Sequence, residues 1–316
     1  MASRLCGIYE ASFGYNSHDK QSQINNWHKH VDGELAIIAA SGPASYSHGY
    51  WHQFFTDGRL HITISALERR RRCVLDTAEW KTLPWSEIPK TPKDLLLDIM
   101  VEMPGFLEHL NTLNACTDAT LQDKLQEDLR AKCWQYDEKL ARWRDTVGIT
   151  DPSYQIYSGN TLPSVELVSV SQLMSLYWCI CVVVYSTLHF TSGSAAAELL
   201  PHMDPRLYCR RIAGAIPILL HPLAGHYGAQ VSNLPTVIAL TYLQAVEGNH
   251  MSKEKRMIIE AFRKSAYASM IEDFFTSTRE HWKAENHPAF IDIIPPEATK
   301  CMDNYPLSIR ERIATQ

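Results

Sequence analysis

Hydrophobic positions along the chain recur at helical spacing and seldom alternate. In ATLQDKLQEDLRAKCWQYDEKLARWRDTVG, residues 119–148, Leu121, Leu125, Leu129, Tyr136, Leu140 and Trp143 return every three or four positions. Charged residues fill the other face, and Gly148 stands where a C-terminal cap belongs. KTPKDLLLDIMVEM, residues 90–103, opens another helix with Thr91 as N-cap, Pro92 in the first helical position and Asp94 in the first turn. Asp94 favours the positive helix end, while Leu95, Leu96, Ile99, Met100 and Met103 form the inward face. A third helix is predicted from Ser252 through Ile258, Phe262 and Met270 to about Trp282. Pro201, Pro205, Pro217, Pro222 and Pro235 are expected to break the intervening region into short helices, with Asp204 and Arg206 as a charge pair at a helix start. No alternating pattern joined by Asn-Gly or Asp-Gly turns recurs, and no repeat of fixed period is present. The fold class is therefore all-α: one large irregular bundle or solenoid over residues 1–316. A soft division is expected near 145–162, and the proline-rich segment 283–316 is expected to wrap the surface.

One segment needs a decision between core and membrane. From Glu166 to Glu198 no charged residue intervenes, and LVSVSQLMSLYWCICVVVYSTLHF is long enough to span a bilayer. Ser169, Ser171, Gln172, Ser175, Ser186 and Thr187 interrupt it, however, and no basic cluster flanks it. A central helix enclosed by other helices is the expectation, with no membrane span.

Composition changes this picture little. Over 316 residues the chain is 45% hydrophobic and 21% charged, ordinary for a globular protein. Its formal charge of -5 argues against direct nucleic-acid binding. The eight cysteines are scattered without a C-x-x-C pair, and MASRLCGIYE has no apolar leader. Reduced, buried thiols in a cytoplasmic protein are expected, with neither metal nor cofactor.

Candidate chemistry is concentrated in two places. LLHPLAGHYGAQVSNLPTVIALTYL, residues 219–243, carries His221, His226 and Tyr227 beside Gly225 and Gly228. The glycines let a neighbouring helix or a ligand approach closely, so this is either a packing landmark or a site. Tyr50, Trp51 and His52, between His48 and His61, make a second aromatic and imidazole-rich stretch, for which packing is again the plain reading. His28 and His30 point to different faces of a helix and make a poor metal pair. The run Arg69–Arg72 reads as a solvated helix edge. No G-x-S-x-G, phosphate-binding or H-E-x-x-H motif occurs.

Several of these stretches together resemble the fungal-specific regulatory domain that follows the zinc cluster in fungal binuclear zinc-cluster transcription factors. Trp27, His30 and Gly33 match its W-x-x-H-x-x-G pattern, and Gly42 its closing glycine. Trp80, the Tyr177–Trp178 helix, and Gly225, Gly228, Gln230 and Pro235 follow in order. The resemblance covers most of residues 5–282, and it implies an all-α fold with an internal hydrophobic pocket but no shared catalytic residues. The family's six-cysteine DNA-binding cluster is absent from this sequence.

A regulatory core without its DNA reader, yet with its pocket, is expected to bind a hydrophobic small-molecule substrate or ligand. The favoured function is a cofactor-independent cyclase or isomerase of specialised metabolism, of Diels-Alder type, in which holding the substrate supplies the rate. His226, Tyr227, His221 and His52 are its candidate catalytic donors, and Trp51, Tyr50, Tyr177, Trp178 and Gly225 its candidate substrate-binding residues. The alternative is a zinc-cluster-less regulator working through a ligand or protein partner, which would place the chain in the nucleus. Self-association into a homodimer is left open.

Overall fold

A computed structural model describes residues 4–6, 20–147, 163–248 and 250–265, and among these no strand occurs. The division expected near 145–162 falls almost wholly outside the described residues. Gly148, Met270, Trp282, Cys301 and the segment 283–316 lie outside them too.

The N-terminal helices are built around aromatic rings. Helix α1 (Lys20–Ser41) ends at Gly42, whose φ of 74° suits a residue without Cβ. Helix α2 (Gly49–Arg69) packs against it, followed by the short α3 (Ala78–Thr82). Between them, 3-10 turns at Pro43–Tyr46, Val74–Asp76 and Leu83–Trp85 fold the chain back on itself. Ile24, Trp27, Tyr46, Phe55, Ile62, Leu75 and Trp80 close into one apolar cluster.

The larger cluster belongs to α4 (Pro92–Met100), α5 (Met103–Ala115), α6 (Ala119–Val147), α7 (Val165–Ser192), α8 (Pro205–Leu219), α9 (Gly225–Glu247) and α10 (Lys253–Lys264). Helix α4 starts as its sequence dictates. The Thr91 hydroxyl accepts from the Asp94 amide while the Asp94 carboxylate accepts from the Thr91 amide, a reciprocal capping box. Helix α6 buries Leu129, Cys133, Tyr136, Leu140 and Trp143 as its periodicity predicts, whereas Leu121, in its first turn, is exposed. Ser252 caps α10, which buries Ile258 and Phe262.

Helix α7 is the axis of this bundle, in contact with α6, α8 and α9. It is long and apolar enough to cross a membrane, yet 67% of its most hydropathic stretch is buried within the protein. Its hydrophobicity on every side is that of a core helix with neighbours all round. Most of the described cysteines follow the same logic, since Cys73, Cys133, Cys179, Cys181 and Cys209 are free and buried, but Cys6 is exposed and Cys116 partly so. Burial pushes the Cys133 thiol up to about 12, so it remains protonated and unreactive.

Three sequence expectations need correction. Pro217 and Pro235 do not end helices but lie inside α8 and α9. Pro217 stands near the end of α8, where little of the ladder remains to be lost. Pro235 is buried, and its packing offsets the roughly 3 kcal/mol that proline costs inside a helix. Arg69–Arg72 is not one solvated edge: Arg69 pairs with Asp32 at 2.7 Å, and buried Arg70 caps α2 in the left-handed conformation while donating to Asn111. Finally, Asp204 caps α8 through the Arg206 amide, but the Arg206 guanidinium pairs with Glu247 at 2.6 Å.

Candidate functional site

The stretch 219–243 turns a corner from α8 into α9. His221 caps the 3-10 turn Pro222–Ala224, its Nδ1 accepting from the Leu223 amide at 3.2 Å. Gly225 begins α9 with φ at 56° and open space where a Cβ would stand. Gly228 is the close-approach residue: a Cβ there would fall 1.9 Å from the Leu219 carbonyl oxygen. The packing half of the sequence reading thus holds for Gly228, through which α9 approaches the end of α8. Tyr227, half exposed, donates its phenol to Gln172 of α7. Burial raises the Tyr227 pKa, so the phenol stays protonated as a donor. The side chain of His226 lies outside the described residues.

The second stretch serves the fold. Buried His52 places Nδ1 2.9 Å from both the Tyr46 and Pro84 carbonyl oxygens, which fixes the proton on that nitrogen and ties two 3-10 turns to α2. Tyr50 and Trp51 face outward, both more than half exposed. Tyr177 and Trp178 are instead core residues, Tyr177 stacked on Trp143 with centroids 5.1 Å apart. The expected residues therefore divide between the two apolar clusters, with His52 in the N-terminal one and His221, Tyr227, Tyr177 and Trp178 on helices and turns of the larger one.

Two polar constellations were not legible from sequence. In the first, Ser65, His28 and Glu68 gather a hydroxyl, an imidazole and a carboxylate, with His28 Nδ1 3.0 Å from Ser65 Oγ and Nε2 in ion-pair contact with Glu68 at 2.7 Å. Arg69 Nε donates to the same Nδ1 at 3.1 Å, which assigns the histidine proton to Nε2. Ser65 and His28 are buried, and Ser65 sits inside α2, where backbone amides are engaged in the helix and cannot form an oxyanion hole. The group is a polar clamp between α1 and α2.

The second constellation lies at the edge of the large core. Tyr185 of α7 donates to Asp137 Oδ1 of α6 at 2.7 Å, and His202 Nε2 stands 3.2 Å from the same oxygen. Tyr208 of α8 stacks on Tyr185 at 5.5 Å and donates to the His202 carbonyl at 2.7 Å, fixing the turn Pro201–Met203 that carries the imidazole. Tyr185 and Tyr208 are buried, Asp137 is partly exposed and His202 is 44% exposed. Burial first, then the nearby Cys181, raises both phenol pKa values, so each remains a donor. With Nε2–H directed at Asp137, Nδ1 of His202 is the basic nitrogen. Beside it the turn exposes Leu200, an apolar contact at the same edge. The sequence signals were Tyr185, a hydroxyl in a stretch without charged residues that needed a partner, and Asp137, next to an inward-facing tyrosine on α6.

Among the described residues no group of three or more histidine, cysteine, aspartate or glutamate side chains could hold a metal ion. No known protein family, curated protein or solved structure matches the chain.

Proposed function

We propose that the chain binds an apolar small molecule and isomerises or cyclises it without a cofactor, with His202 and Asp137 as the proton-transfer pair. One observation carries this reading: an accessible imidazole is held by a carboxylate that a buried phenol fixes in turn. In this mechanism Nδ1 of His202 takes a proton from an activated carbon or hydroxyl of the substrate and returns it to another position. Asp137 stabilises the imidazolium formed between those steps, and Tyr185 keeps the carboxylate from turning away. Leu200 offers the apolar contact, and the resemblance to fungal regulatory domains supports a hydrophobic ligand. Tyr227, held by Gln172, is a second protonated donor that would polarise a substrate carbonyl.

The test is incubation of the full chain with an organic extract of its source organism, followed by native mass spectrometry and chromatography of products against a boiled control. A bound metabolite with a new isomer is expected. His202→Ala should slow its formation roughly 10²- to 10⁴-fold, the usual contribution of a general base. Asp137→Asn should slow it less. Turnover undiminished by His202→Ala would sink the reading. A bound metabolite without product would instead identify a ligand-sensing regulator.

A further inference from the structure

Arg72, His109 and Lys132 come together from three elements: the loop after α2, helix α5 and helix α6. Lys132 Nζ lies 2.5 Å from His109 Nδ1, donating to the imidazole rather than to an acid. Arg72 lies along α5 because Gly105 leaves room for it. A Cβ at Gly105 would meet Arg72 Nε at 3.2 Å and its Cβ and Cγ at 3.7 Å. His109 is one turn further along the same face. Among the described residues neither Arg72 nor Lys132 forms an ion pair; Asp128 and Glu108 are near enough to be felt electrostatically but bond to neither. Desolvation, then the mutual repulsion of these groups, lowers the pKa of both His109 and Lys132.

The contrast with the same helix two turns on is instructive. There Lys139 pairs with Glu102 at 2.5 Å, and Lys81 with Glu102 at 2.8 Å and Asp76 at 2.7 Å. Acids stand opposite those lysines, whereas beside Lys132 the partner is a base.

We propose that Arg72, His109 and Lys132 form a binding site for a phosphate group, as the free anion or as a phosphomonoester. Donors arriving from three elements suit a tetrahedral oxyanion better than a planar carboxylate, and the guanidinium fork can engage two of its oxygens. On binding, Lys132 turns from His109 to the anion, and the imidazole takes up a proton and becomes a third cationic donor. The site does not rest on the proposed His202 chemistry: Lys132 and Asp137 are separated by roughly 140° around α6.

The test follows the histidine Cε1 resonances of the full-length protein by NMR, with His109 assigned through His109→Gln. Inorganic phosphate and phenyl phosphate are titrated separately against chloride of equal ionic strength, with acetate as a planar control. Saturable binding should raise the His109 pKa by about one unit, as a close opposite charge does. Arg72→Gln and Lys132→Gln should each weaken binding about ten-fold, the loss of one charge-assisted hydrogen bond. Tighter binding of phenyl phosphate assigns the site to an ester, and binding of phosphate alone assigns it to the free anion. A His109 response no larger than with chloride, an equal response to acetate, or an unchanged response in both variants would overturn the proposal.

Discussion

Around Trp80 the core is made of rings: Tyr46, Phe55, Trp80 and Trp85 meet at centroid distances of 5.4 to 6.0 Å. Around Trp178 aliphatic side chains and thiols on long helices outnumber the rings, with Leu176, Cys179, Cys181, Val184 and Leu188 in sequence. The first region turns often, through short helices and 3-10 turns, so carbonyls at element ends need side-chain donors. His52 supplies one, and Arg59, fully buried, reaches Asp98, the Asp94 carbonyl and the face of Trp85. In the second region α7 satisfies its own backbone over 28 residues. Polar side chains there serve mainly the short turns between helices, as Tyr208 does at the His202 carbonyl, while Tyr185 and Asp137 hold an imidazole at the surface. Where turns are dense, histidines serve the fold. Beside the long helices, one imidazole, that of His202 on its turn, is held at an exposed edge by Asp137.

The sharpest way to break this comparison is Trp178→Ala. Its indole is fully enclosed at the centre of the large cluster, so a loss of about 3–5 kcal/mol is expected in urea unfolding. A loss below about 1 kcal/mol would show that the aliphatic region is not the principal source of stability. His52→Ala comes next. It leaves two carbonyls without their donor, and a loss of about 1–3 kcal/mol is expected by thermal unfolding, with ligand turnover unchanged. Reduced turnover in a stably folded His52→Ala protein would place chemistry in the aromatic region and reverse the contrast. The smallest effect concerns Glu102, which joins the regions by accepting from Lys81 and Lys139. Burial alone would raise its pKa, but the two lysines outweigh burial and hold it below the ordinary 4.5. Its contribution is therefore present above that value and lost as pH falls through the lower folded value. Glu102→Gln should flatten stability against pH in that acid window by under about 1 kcal/mol, since the partners are partly exposed. A steeper acid limb in the variant would reverse the sign of the coupling.

The helices were legible because their signals are local. Thr91 and Asp94 lie three residues apart, and the buried stripe of α6 can be read from its own periodicity. Pro235 misled because its tolerance depends on packing by residues distant in sequence. The candidate site was legible only in part for the same reason. Gly228 announced a close approach, but the phenol of Tyr227 meets a glutamine 55 positions away, and Asp137 meets His202 across 65. No spacing rule links residues so far apart. Clustering in sequence marks out other histidines, while His202, isolated among prolines, has the better-placed acid.

The enclosure of α7 has a consequence for how the chain is made. Its covering helix α6 precedes it, but α8 and α9 follow it. At ribosomal speeds the 28 apolar-rich residues of α7 wait on the order of several seconds before residue 247 is synthesised and the last of that cover exists. During that interval the nascent segment has the length and hydropathy of a membrane anchor. Biogenesis of this protein thus includes a race between bundle closure and capture by chaperones or the insertion machinery, and the polar interruptions Ser171, Gln172 and Ser175 favour closure.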